Sequence, residues 1–330
     1  FVARDSLGVK PLYYSSEGGI FSFASEIKAL LEFNSTNKEL NIEAINRYLA
    51  FLWCPGDGTP IKFIKKLLPG EALIIKNGQI KEKWKWYQLP IFRGIRPNLN
   101  ETESILGTTN HLRKAVHRQM ISDVPLGAFL SGGLDSSSVV AFARELNPDI
   151  KCFTIKTEGG QDKGFIDDLP YAKKVAKHLN VSLEVVTVDS KKIAEDLQSM
   201  VIQLDEPLAD PASLNVRYIS QLAKDQGIKV LLSGAGGDDI FTGYRRHYAL
   251  EVEKYWSLFP QNIRGLMEST AIHLNNNKPI QRRLSKLFNG ASLDNDERLI
   301  NYFRWTSDVT IQSLYSPAMQ ELMIYSDTNF

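Results

Sequence analysis

The chain has 330 residues, enough for two domains, and its 43% hydrophobic and 23% charged residues are the balance of an ordinary globular protein. Lysine and arginine number 39 against 38 aspartates and glutamates, so the net charge of +1 gives no electrostatic reason to expect nucleic acid or a membrane as the main partner. No apolar run is long enough to span a bilayer, and two cysteines, Cys54 and Cys152, with no metal-ligand spacing, fit a reducing, cytoplasmic compartment.

Phe1-Val2-Ala3-Arg4-Asp5 reads as the interior of a strand, with neither an initiator Met nor a signal peptide, so the chain is expected to be a fragment or a processed piece. Residues 1–88 read as strands and turns with one or two helices. Leu12-Tyr13-Tyr14, Gly18-Gly19 and Ile20 to Phe23 form a hairpin pattern, and Ser25 is placed to cap a helix from Glu26 through Leu31. Asn41 opens another helix. Leu73 to Lys76, Asn77-Gly78 and Gln79 to Tyr87 form a second hairpin with the Asn-Gly signature of a type I′ turn. In Lys81-Glu82-Lys83-Trp84-Lys85-Trp86-Tyr87 the lysines alternate with the aromatics. That alternation favours a half-buried strand, with Ile80, Glu82, Trp84 and Trp86 on one face, over a nucleic-acid surface.

Residues 89–103 lose periodicity and hold two prolines, which makes them the candidate linker. Strand and helix then alternate: strands over 124–130, 151–157, 183–188 and 230–232, and helices over 134–146, 170–179, 193–204 and 214–226. This order predicts an α/β domain built on a doubly wound parallel sheet, with ligands at the carboxyl ends of the strands. From about Asp239 the pattern is helical, with Asn275-Asn276-Asn277 as a loop.

Two of those strand ends carry the chemistry. Phe129-Leu130-Ser131-Gly132-Gly133-Leu134-Asp135-Ser136-Ser137 is a strand, a glycine turn and a helix start. Adjacent glycines let the backbone approach an anion, and the opening N–H groups of a helix together with its dipole attract one. Asp135 beside a polyanion points to a cation between them, Mg²⁺. The turn lacks the Gly-Lys-Ser/Thr end of a Walker loop. Ser233-Gly234-Ala235-Gly236-Gly237-Asp238-Asp239 follows Val230-Leu231-Leu232 with the same logic. Either loop alone is accounted for by a tight turn. The pair, with Asp135 and Asp238, is suited to clamp a nucleotide pyrophosphate through Mg²⁺. Leu204-Asp205-Glu206-Pro207-Leu208-Ala209-Asp210-Pro211 reads equally as a helix end with proline turns or as the wall of a site for an amino or ammonium group.

Ser131 to Ser136 resembles the PP-loop of ATP pyrophosphatases. With Ile121 to Leu130, Leu204 to Pro211 and Ser233 to Tyr244, the chain is similar to the glutamine-hydrolysing asparagine synthetases. Ala3 to Tyr14, Phe23 to Leu30 and Leu67-Leu68-Pro69-Gly70-Glu71 resemble the last strands and helix of that family's glutaminase domain. The resemblance runs from residue 1 to about 250. It implies an incomplete, antiparallel β-rich α+β glutaminase remnant over 1–88, followed by an ATP-pyrophosphatase synthetase domain from 104 to 330 with a helical, incomplete C-terminal region.

The reaction implied is adenylation of aspartate by ATP-Mg²⁺ with release of pyrophosphate, then attack by ammonia derived from glutamine. By similarity, the backbones of Leu130 and Ile155 with Ser233 and Gly234 hold adenine and ribose. Ser131, Gly132, Gly133, Asp135 and Ser136 hold the phosphates, and Asp135 and Asp238 hold Mg²⁺. A homodimer is a possible assembly.

Two departures qualify the resemblance. The family's glutaminase begins with a nucleophilic cysteine, whereas this chain begins at Phe1, and neither Cys54 nor Cys152 replaces it by motif; glutaminase activity is therefore not expected. Many members carry Glu where this chain has Ala235, and that Glu is thought to take the proton from ammonia. Alanine has no group to accept it, and losing a positioned general base costs about 10²–10⁴-fold. Asp238, Asp239 and Glu206 are the candidates to replace it. The alternative readings are adenylation of a different carboxylate and an inactive nucleotide-binding scaffold.

Overall fold

The structure is a computed structural model of the chain, and it describes residues 1–33, 37–90, 99–158, 168–210, 212–244, 247, 250, 253, 255–256, 258–271, 273–274 and 278–325. The loop expected at 275–277, Pro211 and residues 91–98 of the expected linker lie outside the described residues. Two compact units divide the chain: residues 1–234 with 308–330, and residues 235–307.

The first unit opens with two antiparallel three-stranded sheets. One places β1 (Val2–Ala3) beside β5 (Glu71–Lys76), with β6 (Gln79–Lys85) at the edge; the other has β2 (Tyr13–Glu17) between β3 (Ile20–Ala24) and β4 (Lys65–Lys66). The expected hairpins are both present. Asn77 (φ 52°) and Gly78 (φ 72°) take the left-handed backbone that a type I′ turn requires. On β6 only Ile80 and Trp84 are even half-buried, and a register shift between Ile74 and Ile75 interrupts the pairing. The strand is as expected, but it is an edge strand with little cover. Helix α1 (Ile27–Leu31) has Glu26, not Ser25, as its N-cap residue, and Glu26 makes no side-chain cap. Helix α2 (Ile42–Phe51) is capped by Asn41, whose side chain accepts the Ala44 N–H.

A 19-residue helix that periodicity did not announce follows, α3 (Glu101–Gln119). Asn100 and Glu103 form a reciprocal capping box at its start, so the last residues of the expected linker are helical.

The parallel sheet has the order β10-β7-β8-β9, formed by β7 (Leu126–Phe129), β8 (Lys151–Glu158), β9 (Ser182–Asp189) and β10 (Val230–Leu232). Helices α4 (Leu134–Leu146) and α5 (Leu169–Leu179) make the first two crossovers, and α6 (Ser190–Gln203) with α7 (Ala212–Asp225) makes the third. Alternate strand residues serve opposite faces. Ala128, Leu130, Cys152 and Leu232 pack against Val140 and Ala143 of α4 and Ala172 and Ala176 of α5. Phe129, Phe153, Ile155 and Leu231 join Ile219 and Ala223 of α7. Burial on both faces is what a doubly wound sheet demands of its strands.

The second unit contains α8 (Gly237–Ile240), α9 (Gln261–Ala271), α10 (Pro279–Phe288) and α11 (Asn295–Asn301). Its largest fully buried side chain is Arg298, 1% exposed. The guanidinium lies 4.1 Å from the Trp256 ring centroid, Nε donates to Glu253 (2.7 Å) and Nη1 donates to the Gly290 carbonyl (2.9 Å). A buried charge so fully engaged by carboxylate and carbonyl oxygens is stable where an unpaired one would not be. Residues 308–325, with α12 (Asp308–Leu314) and α13 (Pro317–Tyr325), return to the first unit, where Tyr315 Oη donates to Asn46 Oδ1 of α2 (2.8 Å).

Candidate functional site: two glycine loops at a switch point

The strand order reverses between β7 and β10. From β7 the chain moves outward through β8 to β9, then returns to the other side of β7 as β10. In open parallel sheets that reversal leaves a crevice at the carboxyl ends of the two flanking strands, which is the place such sheets bind ligands. The two glycine loops follow β7 and β10.

In the first loop, Leu130 extends β7 and its N–H donates to the Phe153 carbonyl (2.9 Å); its side chain is core, so only its backbone faces the crevice. Ser131 and Ser136 close the turn through their hydroxyls, 3.0 Å apart, and the Ser136 hydroxyl also donates to the Gly133 carbonyl (3.3 Å). Gly132 has φ +83°, and a Cβ there would lie 2.7 Å from Cβ of Tyr171 and would meet the backbone of Tyr171 and Ala172. Only glycine satisfies both the conformation and the contact with the start of α5. Gly133 differs: at φ −70° a side chain is conformationally allowed, and among the described residues an added Cβ would have only Ser131 Oγ near, at 3.5 Å. Gly133 therefore leaves room outside the protein backbone, at the N-terminus of α4, where no side chain caps the helix. Asp135 lies in the first turn of that helix, where the dipole favours a negative charge in any case.

The second loop reaches the first at Gly234. A Cβ on Gly234 would lie 2.7 Å from the Ser136 nitrogen and 2.9 Å from Asp135 Cβ. Glycine thus allows one loop to press against the backbone of the other, and within the first unit Ser131–Ser136, Ser233 and Gly234 are gathered at one end of the sheet. Ile155 is farther along β8, half-buried, packed with the clusters that cover α7.

Asp238 and Asp239 belong to the second unit, in the first turn of α8, where Gly236 (φ +91°) precedes the helix and the Gly243 N–H donates to the Asp238 carbonyl (2.8 Å). Among the described residues no group of three or more His, Cys, Asp or Glu side chains is gathered to hold a metal ion. Mg²⁺ would suit such a setting only as an ion held by one or two carboxylates and by the phosphates of a nucleotide, and Asp135, in the first turn of α4 against Gly234, is the carboxylate at this helix start.

The third acidic segment follows the end of α6 (Ser190–Gln203), as one of its two readings expects, and its carboxylates are engaged from the N-terminal region. Glu206 accepts hydrogen bonds from Tyr13 Oη and Lys66 Nζ, each 2.9 Å, and Asp205 accepts the Ile27 N–H (2.8 Å). Both carboxylates face residues 1–88. Burial and the negative charge of Glu206 push the Tyr13 hydroxyl well above its usual range. Burial, with Glu206 adding to it, pushes the Cys54 thiol up to about 11, and burial pushes Cys152 up to about 12; neither is poised as a thiolate. The sequence reading missed these partners of Asp205 and Glu206, and also Tyr171 behind Gly132. Pro170 at the start of α5 is the one local signal that a helix N-terminus lies there.

A parallel sheet with two glycine loops at its switch point, one of them opening a helix, is an α/β architecture whose helix start is suited to an anion. The family described as asparagine synthase matches residues 107–325, and the glutamine amidotransferase domain family matches residues 1–87. The chain belongs to the asparagine synthase family. It is 33% identical over 243 residues to asparagine synthetase [glutamine-hydrolyzing] 1 of Bacillus subtilis, covering 73% of this chain and 37% of that protein. It is 34% identical over 253 residues to putative asparagine synthetase [glutamine-hydrolyzing] 2 of Methanocaldococcus jannaschii, covering 75% of this chain and 47% of that one. The match thus spans less than half the length of these relatives. Among solved structures, NH3-dependent NAD synthetase from Campylobacter jejuni in complex with the nitrate ion has 12% identity and a TM-score of 0.30, covering 61% of this chain and 97% of that one.

Proposed function

We propose that the chain carries the ATP-dependent, amide-forming half of an asparagine synthetase reaction, in a domain over 104–330, with 1–88 as the C-terminal part of a glutaminase domain. A carboxylate oxygen of aspartate attacks the α-phosphorus of ATP, the α–β bridging P–O bond breaks, and pyrophosphate leaves. Ammonia then attacks the acyl carbon, AMP leaves with the electron pair of the acyl C–O bond, and the ammonium proton passes to a base. Backbone donors at the start of α4 and the Ser131 hydroxyl stabilise the charge that grows on the pyrophosphate. Mg²⁺, where bound, would neutralise part of that charge, with Asp135 as the ligand from α4 and Asp238 assigned by resemblance. The thiols of Cys54 and Cys152 are free and buried, in keeping with a cytoplasmic setting.

The observation that carries this reading is the approach of Gly234 to the Ser136 backbone, which gathers both loops at the uncapped start of α4. Ala235 favours a second reading, in which the acceptor is a carboxylate other than aspartate, because the position has no group to take a proton.

The deciding experiment is pyrophosphate release with ATP, Mg²⁺, ammonia and a panel of carboxylic acids. Release with aspartate supports the first reading, release only with another acid supports the second, and ATP binding without release under any acid overturns both. Asp135→Ala is expected to abolish Mg²⁺-dependent ATP binding in calorimetry; unchanged affinity would remove Asp135 from the metal site.

A further inference from the structure

The segment between α6 and α7 is held to the N-terminal region by a reciprocal exchange of caps. Asp205 Oδ2 accepts the N–H of Ile27, the first residue of α1, a helix whose own N-cap residue makes no side-chain bond. In return Lys28 Nζ donates to the Gln203 carbonyl (2.8 Å) and reaches the Ile202 carbonyl (3.5 Å), both in the last turn of α6, whose carbonyls lack intrahelical partners. Each helix end is thus completed by a residue about 175 positions away in the chain. Glu206 continues the seam with Tyr13 and Lys66, and the Ala209 N–H donates to the Leu52 carbonyl (3.0 Å).

Exposure decides which of these contacts matters. The Lys28 side chain is 44% exposed, so its 3.6 Å ion pair with Asp205 contributes little. The Asp205 side chain is only 14% exposed, and its charge-assisted bond to a backbone N–H is the stronger kind. Leu204, the residue before it, packs on the other side, against the cluster of Val188, Met200, Leu214 and Tyr218 that also receives Ile155.

We propose that Asp205 is a positioning residue. Docked on α1, it fixes the α6–α7 turn, and through Leu204 it fixes the apolar cluster on which Ile155 rests. The N-terminal region thereby sets the geometry of the adenine side of the nucleotide site. This rests on the nucleotide-binding reading above.

The test compares Asp205→Ala with Asp205→Asn in the full chain, by hydrogen exchange at the Ile27 and Lys28 amides and by ATP-Mg²⁺ affinity in calorimetry. Asparagine keeps an acceptor for the Ile27 N–H and caps a helix as well as aspartate, whereas alanine does not. Asp205→Ala is expected to speed exchange at Ile27 about fivefold and to weaken ATP by a similar factor, with Asp205→Asn close to wild type in both. By linkage, ATP added to the wild type slows exchange at Ile27. Faster exchange in Asp205→Ala with unchanged ATP affinity overturns the proposal, as does unchanged exchange. Failure of the wild type itself to bind ATP overturns the nucleotide reading, and this proposal with it. Tyr13→Phe keeps the ring in the core and removes only its bond to Glu206. It reads the same seam in a second variant, where a smaller shift in both measurements is expected and a shift in neither counts against the proposal.

Discussion

The loop after β7 and the loop after β10 look alike in sequence, each a strand followed by small residues and a carboxylate, yet their glycines answer different physical demands. Gly132 is held by its positive φ and by the backbone of α5 behind it. Gly133 has an ordinary φ, and among the described residues an added Cβ would meet only Ser131 Oγ, at ordinary van der Waals distance. Gly234 has no unusual φ either; it is glycine because the Ser136 backbone lies where its side chain would be. Paired glycines in a turn thus divide between conformation, room for a ligand and close approach, and what lies opposite each one decides which.

Substitution to alanine breaks that comparison in a ranked order. Gly132→Ala combines a left-handed backbone with overpacking against α5, and the loss in stability is expected to be about 3 kcal/mol by denaturant unfolding. An unchanged midpoint would show that α5 is not seated on this glycine. Gly234→Ala has only the overpacking, so about 1–3 kcal/mol is expected, together with weaker ATP binding as the start of α4 moves. Retained affinity with lost stability would separate Gly234 from the nucleotide.

The platform beneath both loops can be probed at Cys152, fully buried in β8 beside Ala128 of β7. Burial raises its thiol from 9.0 to about 12, so the folded state keeps the proton after the unfolded chain has lost it. Its contribution to stability is complete below about pH 9 and falls by about 1.4 kcal/mol per pH unit as the pH rises towards 12. The stability gap between wild type and Cys152→Ala should therefore narrow as the pH rises above 9 in thermal unfolding, and a constant gap would refute the assignment.

Gly133→Ala is the smallest structural change, at most about 1 kcal/mol from placing alanine at an N-cap. ATP affinity is nevertheless expected to fall about tenfold or more, because the added methyl occupies the room at the helix start. Loss of affinity without loss of stability would mark Gly133 as the ligand-facing member of the pair; equal losses would make it structural.

Much of the architecture is legible locally. The apolar runs of β7, β8 and β10, the Asn77-Gly78 turn and the Asn41 cap follow from side-chain period and turn chemistry within a few residues. The start of α3 is equally local, in the capping box of Asn100 and Glu103, but the Pro-containing stretch before it points to a linker. Ser25 is the local candidate for the cap of α1 on the same grounds, and there locality misleads, since the acceptor of the Ile27 N–H is Asp205.

Glycine loops, the alternation of strands and helices and the resemblance to the asparagine synthases lie in the sequence itself, because turn conformation and hydrophobic period are properties of neighbouring residues. Which strand lies beside which is not such a property. Placing β10 next to β7 rather than beyond β9 depends on hydrogen bonds between residues about a hundred positions apart, and that placement alone brings Gly234 to Ser136. The fate of Asp205 and Glu206 was decided the same way. In sequence they stand beside two prolines and allow two readings. In the fold their partners, Ile27, Tyr13 and Lys66, come from the other end of the chain, and a carboxylate's role follows from the donors it meets.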